Sequence, residues 1–410
     1  MKQVRGGVTA PSGFLASGIR VGIKKTGDKK DLALIWSEAR CAAAAVYTRN
    51  KVIGQPLVVT REHLADGYAQ AVIVNSGNAN TCNGEAGIAA ARRMAALVAE
   101  RLPVAPEDVV VASTGVIGVQ LDVAPIEAGM EALVAGLSKA GSIDAREAIL
   151  TTDTMKKEFA LSFELGGKTV TIGAMAKGSG MIHPNMATML GFATTDCAIS
   201  PALLQEALSE SVRRSFNRVS VDGDTSTNDM VVILANGMAG NEPIAERGPD
   251  FRAFAEALDY LNTQMARMIA RDGEGATKLL ECVVSGAPDE AEAEALAKSV
   301  ITSSLVKTAL FGSDANWGRV LCALGYTPST FDPAKVHLAF ESPRGYIEVC
   351  VNGTGIPFSE EKAKLILGAQ EVTILVDLGG GPSGGGSAQA TAWGCDLSYE
   401  YVRINGDYRT

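Results

Sequence analysis

The chain has 410 residues, 47% hydrophobic and 20% charged, a balance that supports a full core and excludes a disordered chain. A net charge of −9 with scattered basic residues argues against nucleic acid as a partner. No apolar run approaches the ~18 residues that cross a bilayer, and the start MKQVRGGVTAPSGF lacks the apolar core of a signal peptide, so no membrane association and a cytoplasmic location are expected. The seven cysteines (Cys41, Cys82, Cys197, Cys282, Cys322, Cys350, Cys395) are widely spaced without a CxxC and read as buried reduced thiols. The histidines His63, His183 and His337 form no HExxH, so no metal site is expected.

In chain order, Ala71–Asn75 (AVIVN) reads as a buried strand and Gly84–Leu102, with apolar residues at helical spacing, as a helix. Asp108–Ala112 predicts a second strand ending in a turn at Ser113-Thr114-Gly115. Val123–Lys139 predicts a helix and Lys168–Ala174 a strand. Lys177–Leu190 (KGSGMIHPNMATML) breaks the pattern with Gly and Pro, then runs into the strand-like Gly191–Ile199. Ser200 is placed to cap a helix over Pro201–Ser215. Met230–Ala235 is a strand, and helices over Phe251–Arg271 and Glu290–Thr308 flank the strand-like Thr277–Val284. Strands follow at Val336–Phe340, Tyr346–Val351, Val372–Leu378 and Leu397–Ile404, with a helix at Ser359–Leu367. Strands that come in pairs between helices favour a layered α/β sandwich over a parallel barrel. Gly379–Gly386 (GGGPSGGG) lacks the Lys of a phosphate loop and reads as a structural loop. Asp222–Asp229 (DGDTSTND) lacks the Gly and Glu of an EF-hand and reads as a hydrogen-bonded turn near the site.

Ala187-Thr188 carries the candidate chemistry. A Thr hydroxyl needs a base, and the residue's own α-amine, with an ordinary pKa of ~8, can serve once the preceding peptide bond is cut. A small residue before Thr in a Gly/Pro-rich segment ahead of a strand suits an N-to-O acyl shift followed by hydrolysis. Taken alone, these two residues read as those of an ordinary strand.

The wider window resembles the cleavage signature of the ArgJ family, the glutamate N-acetyltransferases also called ornithine acetyltransferases. Further segments match it: NSGNANTCNG (Asn75–Gly84), STGVIG (Ser113–Gly118), TTDT (Thr151–Thr154), SVDGDTSTND (Ser220–Asp229), RDGEGATK (Arg271–Lys278), GSDANWGR (Gly312–Arg319) and NGDYRT (Asn405–Thr410). The resemblance implies a four-layer α/β/β/α sandwich related to the self-processing aminopeptidases. It implies cleavage between Ala187 and Thr188 into an α chain, 1–187, and a β chain, 188–410, assembled as α2β2. It implies that Thr188 takes acetyl from N2-acetyl-L-ornithine and passes it to L-glutamate, with Thr114 and Gly115 as oxyanion hole. Substrate contacts would come from Thr152, Lys177, Thr188, Glu274, Asn405 and Thr410, with Thr151 an alternative to Thr152. His183 is expected to be structural. No cofactor is implied, and acetyl-CoA stands open as a co-substrate. The competing readings are an amidohydrolase passing the acyl group to water and an uncleaved binding or structural protein.

Overall fold

The computed structural model describes residues 1–25, 27–183, 189–380 and 386–407. Its strands are β1 (Lys2–Gln3), β2 (Phe14–Ile19), β3 (Leu32–Tyr47), β4 (Tyr68–Asn78), β5 (Val109–Val116), β6 (Lys157–Leu165), β7 (Lys168–Lys177), β8 (Leu190–Thr195), β9 (Val219–Ser220), β10 (Met230–Ala235), β11 (Leu279–Ala287), β12 (His337–Ser342), β13 (Gly345–Val351), β14 (Thr354–Gly355), β15 (Glu371–Asp377) and β16 (Ala388–Cys395). The helices are α1 (Gln55–His63), α2 (Gly84–Ala99), α3 (Ala124–Ala135), α4 (Ser142–Ala148), α5 (Pro201–Arg214), α6 (Pro249–Arg271), α7 (Glu290–Thr302), α8 (Ser304–Phe311), α9 (Trp317–Gly325), α10 (Glu360–Leu367) and α11 (Tyr399–Asp407).

Nine strands form one sheet in the order β1-β6-β7-β8-β10-β3-β4-β5, with β2 also pairing β3. The long strand β3 belongs to two leaves of this sheet. Its first half pairs β2 and β4 and its second half pairs β10, with a register shift between Trp36 and Cys41. Ala33, Ile35, Cys41 and Ala43 face one shared core. The opposite face changes surroundings along the strand: Leu32 and Leu34 pack with Met94 and Leu97 of α2, whereas Ala42, Ala44 and Val46 pack with Leu204 and Leu208 of α5. The shared core also takes Val72 and Val110 from one leaf and Phe192 and Val232 from the other. The layers are therefore helices, leaf, leaf, helices: an α/β/β/α sandwich, as the resemblance implies.

A second sheet, ordered β14-β13-β12-β15-β11-β16-β9, carries α7, α9 and α10 on one face through Leu296, Val300, Leu324 and Ile366. Helix α6 joins the two sheets. Its Leu261, Met265 and Ile269 share a core with Phe159 and Ile172 of the first sheet and Leu279 and Trp393 of the second.

Several sequence expectations need correction. Leu397–Ile404 is not a strand: α11 covers Tyr399–Asp407, and Ser398 Oγ accepts the Glu400 N–H at 3.2 Å ahead of it. The last strand is instead β16, whose Gly and Ala residues hide the usual β-branched signal. The helix expected over Glu290–Thr308 breaks at Ser303, an extended residue whose Oγ accepts the Val306 N–H. The helix expected over Val123–Lys139 ends at Ala135, and the short α4 follows. Ser113-Thr114-Gly115 is not a terminal turn; β5 continues to Val116 because its parallel partner β4 runs on to Asn78. Ser200 stands at the helix N-terminus without a side-chain capping bond. The seven cysteines are free thiols, but Cys82 and Cys322 are exposed. Most of GGGPSGGG, residues 381–385, lies outside the described residues.

Candidate active site

Strands β5 and β7 come from opposite leaves and bring Thr114 and Lys177 together where the leaves meet. Lys177 Nζ donates to Thr114 Oγ1 at 3.4 Å, and both residues are 9% exposed. Because Thr114 Oγ accepts from the ammonium, its own O–H proton is available to another acceptor. These residues border a cavity of about 290 Å³ with Gly115, Thr151, Thr152, Glu274 and Asn405, together with Ser226, Thr227 and Asn228. Six of the sequence-predicted site residues, Thr114, Gly115, Thr152, Lys177, Glu274 and Asn405, thus converge on one cavity from five separated segments. Ala187, Thr188 and Thr410 lie outside the described residues. Lys177 pairs across the sheet with Leu190, two positions after Thr188 in the chain.

Each member is fixed by local structure. Gly115 has φ of 132°, and a Cβ there would lie 2.4 Å from the Gly77 carbonyl carbon and 2.6 Å from the Asn78 nitrogen. Only glycine fits at this irregularity in the β4–β5 ladder. Gly115→Ala is expected to destabilise the fold by about 2–3 kcal/mol, read from the denaturant midpoint. Gly180 leaves room for the Glu274 carboxylate: a Cβ there would lie 2.3 Å from the Glu274 carboxyl carbon and would push that side chain aside. Glu274 Oε2 accepts from Asn405 Nδ2 at 2.8 Å, and Ser398 Oγ donates to the Gly275 carbonyl at 2.5 Å, which docks α11 beside the cavity.

A buried ionic cluster lies behind Lys177. Lys157 Nζ contacts Asp153 Oδ1 at 2.7 Å and Asp272 Oδ2 at 2.5 Å, with all three side chains essentially inaccessible. Asp153 also accepts the N–H of Gly178 at 2.7 Å and of Thr151 at 3.0 Å. Burial works to raise the Asp153 carboxyl, but the charges of Lys157 and Lys177 outweigh it and hold it well below the usual carboxylate range. Asn228 joins three of the sequence motifs. Its Nδ2 donates to the carbonyls of Ala79 (2.6 Å) and Ser113 (3.0 Å), and its Oδ1 accepts from Thr81 and Thr227.

With a cation, a carboxylate, a side-chain amide, hydroxyls and a strained glycine around a small cavity, the arrangement suits a small zwitterion. Residues 15–410 match the ArgJ family along their length. The chain belongs to the ArgJ family. It is 54% identical over 411 residues to the arginine biosynthesis bifunctional protein ArgJ of Symbiobacterium thermophilum, covering 100% of both chains. It is 49% identical over 410 residues to the protein of that name from Caldanaerobacter subterraneus, again 100% of both. A crystal structure of the arginine biosynthesis bifunctional protein ArgJ from Bacillus halodurans is 46% identical with a TM-score of 0.50. It is covered over 100% of its chain by 54% of this one.

Within this ArgJ-family chain, the sequence left Asp153, Lys157, Asp272 and Asn228 unassigned. Asp153, Asp272 and Asn228 lie in TTDT, RDGEGATK and SVDGDTSTND, so motif membership was the signal that pointed to them. Asp222 accepts the N–H groups of Met181, Ile182 and Asp224, which makes DGDTSTND the hydrogen-bonded turn expected from its sequence. Among the described residues no group of His, Cys, Asp and Glu is arranged to hold a metal ion. His183 borders a separate cavity with Arg213 and Lys298, and its Nδ1 lies 3.1 Å from Ser220 Oγ. No helix among the described residues is long and apolar enough to cross a membrane.

Proposed function

We propose that this chain cuts itself between Ala187 and Thr188 and moves acetyl from N2-acetyl-L-ornithine to L-glutamate through an acetyl-Thr188 intermediate. The observation that carries this reading is the convergence of Thr114, Gly115, Thr152, Lys177, Glu274 and Asn405 on one cavity, within a chain of this family. The hydroxyl of Thr188 attacks the acetyl carbonyl, with the α-amine as base. Negative charge then develops on the carbonyl oxygen, and the Thr114 hydroxyl and the Gly115 N–H are the donors assigned to it. Ornithine leaves, and the glutamate amine attacks the ester to give N-acetyl-L-glutamate. One amide replaces another, so no energy-rich cofactor is required.

Glu274 is assigned to the ornithine ammonium, and Lys177 and Asn405 to the polar groups of the amino-acid substrates. Thr152 is preferred over Thr151 because the Thr151 N–H is already held by Asp153. Thr410, five residues after Asn405 in the chain, is assigned to complete the set.

The cleaved pieces would stay joined. Residues 1–187 supply β7 and β3, and residues 188–410 supply β8 and β10, which pair with them in one sheet. An α2β2 assembly in the cytoplasm is part of the proposal.

A second acyl donor, acetyl-CoA, is favoured by one further observation. A cavity of about 720 Å³ shares Gly115, Thr151 and Thr152 with the first and carries Lys24, Lys25 and Lys29, which suit phosphate groups. The relatives' name, bifunctional protein, agrees with two activities.

Intact-mass measurement with N-terminal sequencing tests the reading. Two fragments are expected, the second beginning at Thr188, in a preparation that forms N-acetyl-L-glutamate from N2-acetyl-L-ornithine and L-glutamate. A single uncut chain with full transfer activity, or fragments without transfer, would refute it.

A further inference from the structure

Self-cleavage raises a proton problem that acetyl transfer does not. Transfer can use the free α-amine of Thr188, but that amine exists only after the Ala187–Thr188 bond has broken. The uncut chain needs another group to protonate the departing nitrogen.

Asp229 is a buried carboxyl beside Met189, the residue after Thr188 in the chain. It stands immediately before β10, and Met230 donates its N–H to the Met189 carbonyl at 3.0 Å. Asp229 borders a cavity of only about 20 Å³ together with Thr114, Lys177 and Met189, the residue that follows Thr188 in the chain. It is 3% exposed, and among the described residues its Oδ2 has no hydrogen-bond partner. A buried ionised oxygen without a partner is costly, whereas a protonated one is a donor waiting for an acceptor. Burial pushes this carboxyl well above the usual range, against the opposing pull of hydrogen bonds from Ser226, of the Lys177 ammonium and of the Met189 N–H. Lys177, on β7, is the charged group that faces it.

Resting on the cleavage reading above, we propose that Asp229 holds the proton that reaches the nitrogen of Thr188 during self-cleavage. The bond from Thr188 Oγ to the Ala187 carbonyl carbon forms and the bond from that carbon to the Thr188 nitrogen breaks. Asp229 gives its proton to the nitrogen, and the proton lost by the Thr188 hydroxyl returns to the Asp229 carboxylate. The step leaves an ester, a free amine and a neutral Asp229, so it consumes no proton. Water then hydrolyses the ester.

The test is a pulse-chase of the full chain made by cell-free translation, with cleavage followed by intact mass from about pH 5 to about pH 9. Asp229→Asn fills the same volume but carries no acid proton. It is expected to cut ~100-fold more slowly or worse, with a melting temperature close to that of the uncut Thr188→Ala chain. The wild-type cleavage rate should fall as pH rises through the titration of Asp229, and the variant should lack that limb. Cleavage of Asp229→Asn within twofold of wild type overturns the proposal. Where the variant does not fold, the wild-type profile decides alone: a rate that climbs steadily to about pH 9 overturns it. Wild-type chain that stays at 42.6 kDa throughout removes the cleavage reading, and Asp229 with it.

Discussion

Thr188→Ala is expected to leave one intact chain of 42.6 kDa and to reduce acetyl transfer by at least about 10⁴-fold. Both outcomes follow from one atom. The hydroxyl is the nucleophile toward the Ala187 carbonyl and, after the cut, toward the acetyl group, and alanine offers no substitute for either. Removing the hydroxyl leaves the binding groups Lys177, Glu274 and Asn405 in place, so substrate should still bind and protect the uncut chain against heat. Thr188→Ser keeps the hydroxyl and should retain slower cleavage. Mass spectrometry of the purified variants checks the first outcome, and formation of N-acetyl-L-glutamate checks the second. Two fragments from Thr188→Ala would move the scissile bond elsewhere.

What could be read in advance depended on how far each feature is local. Strands with apolar or β-branched runs, such as Val109–Val111 and Val231–Ile233, declare themselves in a few residues. The second half of β3 does not, because CAAAAV carries little strand propensity. It is extended because β10 pairs along its edge, while α5 covers one of its faces and the core shared by the two leaves covers the other. Helix α11 reads as a strand in the sequence because its Tyr, Val and Ile residues are interleaved with polar ones. Its helical form depends on Ser398 and on the distant contact of Asn405 with Glu274.

The candidate site divides in the same way. Residues that would meet a substrate were legible through motif resemblance, whereas the groups that hold them are defined by pairings across the chain. Lys157 illustrates the difference. In the sequence it is an ordinary lysine at the start of a strand, and in the structure it is fully buried between two carboxylates more than a hundred residues apart. Nothing local to Lys157 announces a partner at Asp272.

That buried cluster gives the largest expected effect on stability. Asp153→Ala removes one of the two carboxylates on Lys157 and the acceptor for the N–H groups of Gly178 and Thr151. Breaking one side of a buried ion pair typically costs about 3–5 kcal/mol, and Asp272 keeps part of the Lys157 charge compensated, so a value near ~3 kcal/mol is expected. For a cooperative chain of this size that corresponds to a fall in Tm of about 4 °C. The loss should depend on pH in a defined direction. The Asp153 carboxyl is held below its ordinary range in the folded protein, so its contribution is complete above the unfolded pKa of ~3.9. It is lost as pH falls from there through the lower folded value. The stability gap between wild type and Asp153→Ala should therefore be constant near neutrality and close progressively below about pH 4. Transfer activity should also fall, by roughly 10-fold or more, because Gly178 is the residue after Lys177 and its amide would lose its anchor. Denaturant titrations of both proteins at neutral and acid pH measure the gap. One that widened on acidification would show that Asp153 is not the ionised partner of Lys157.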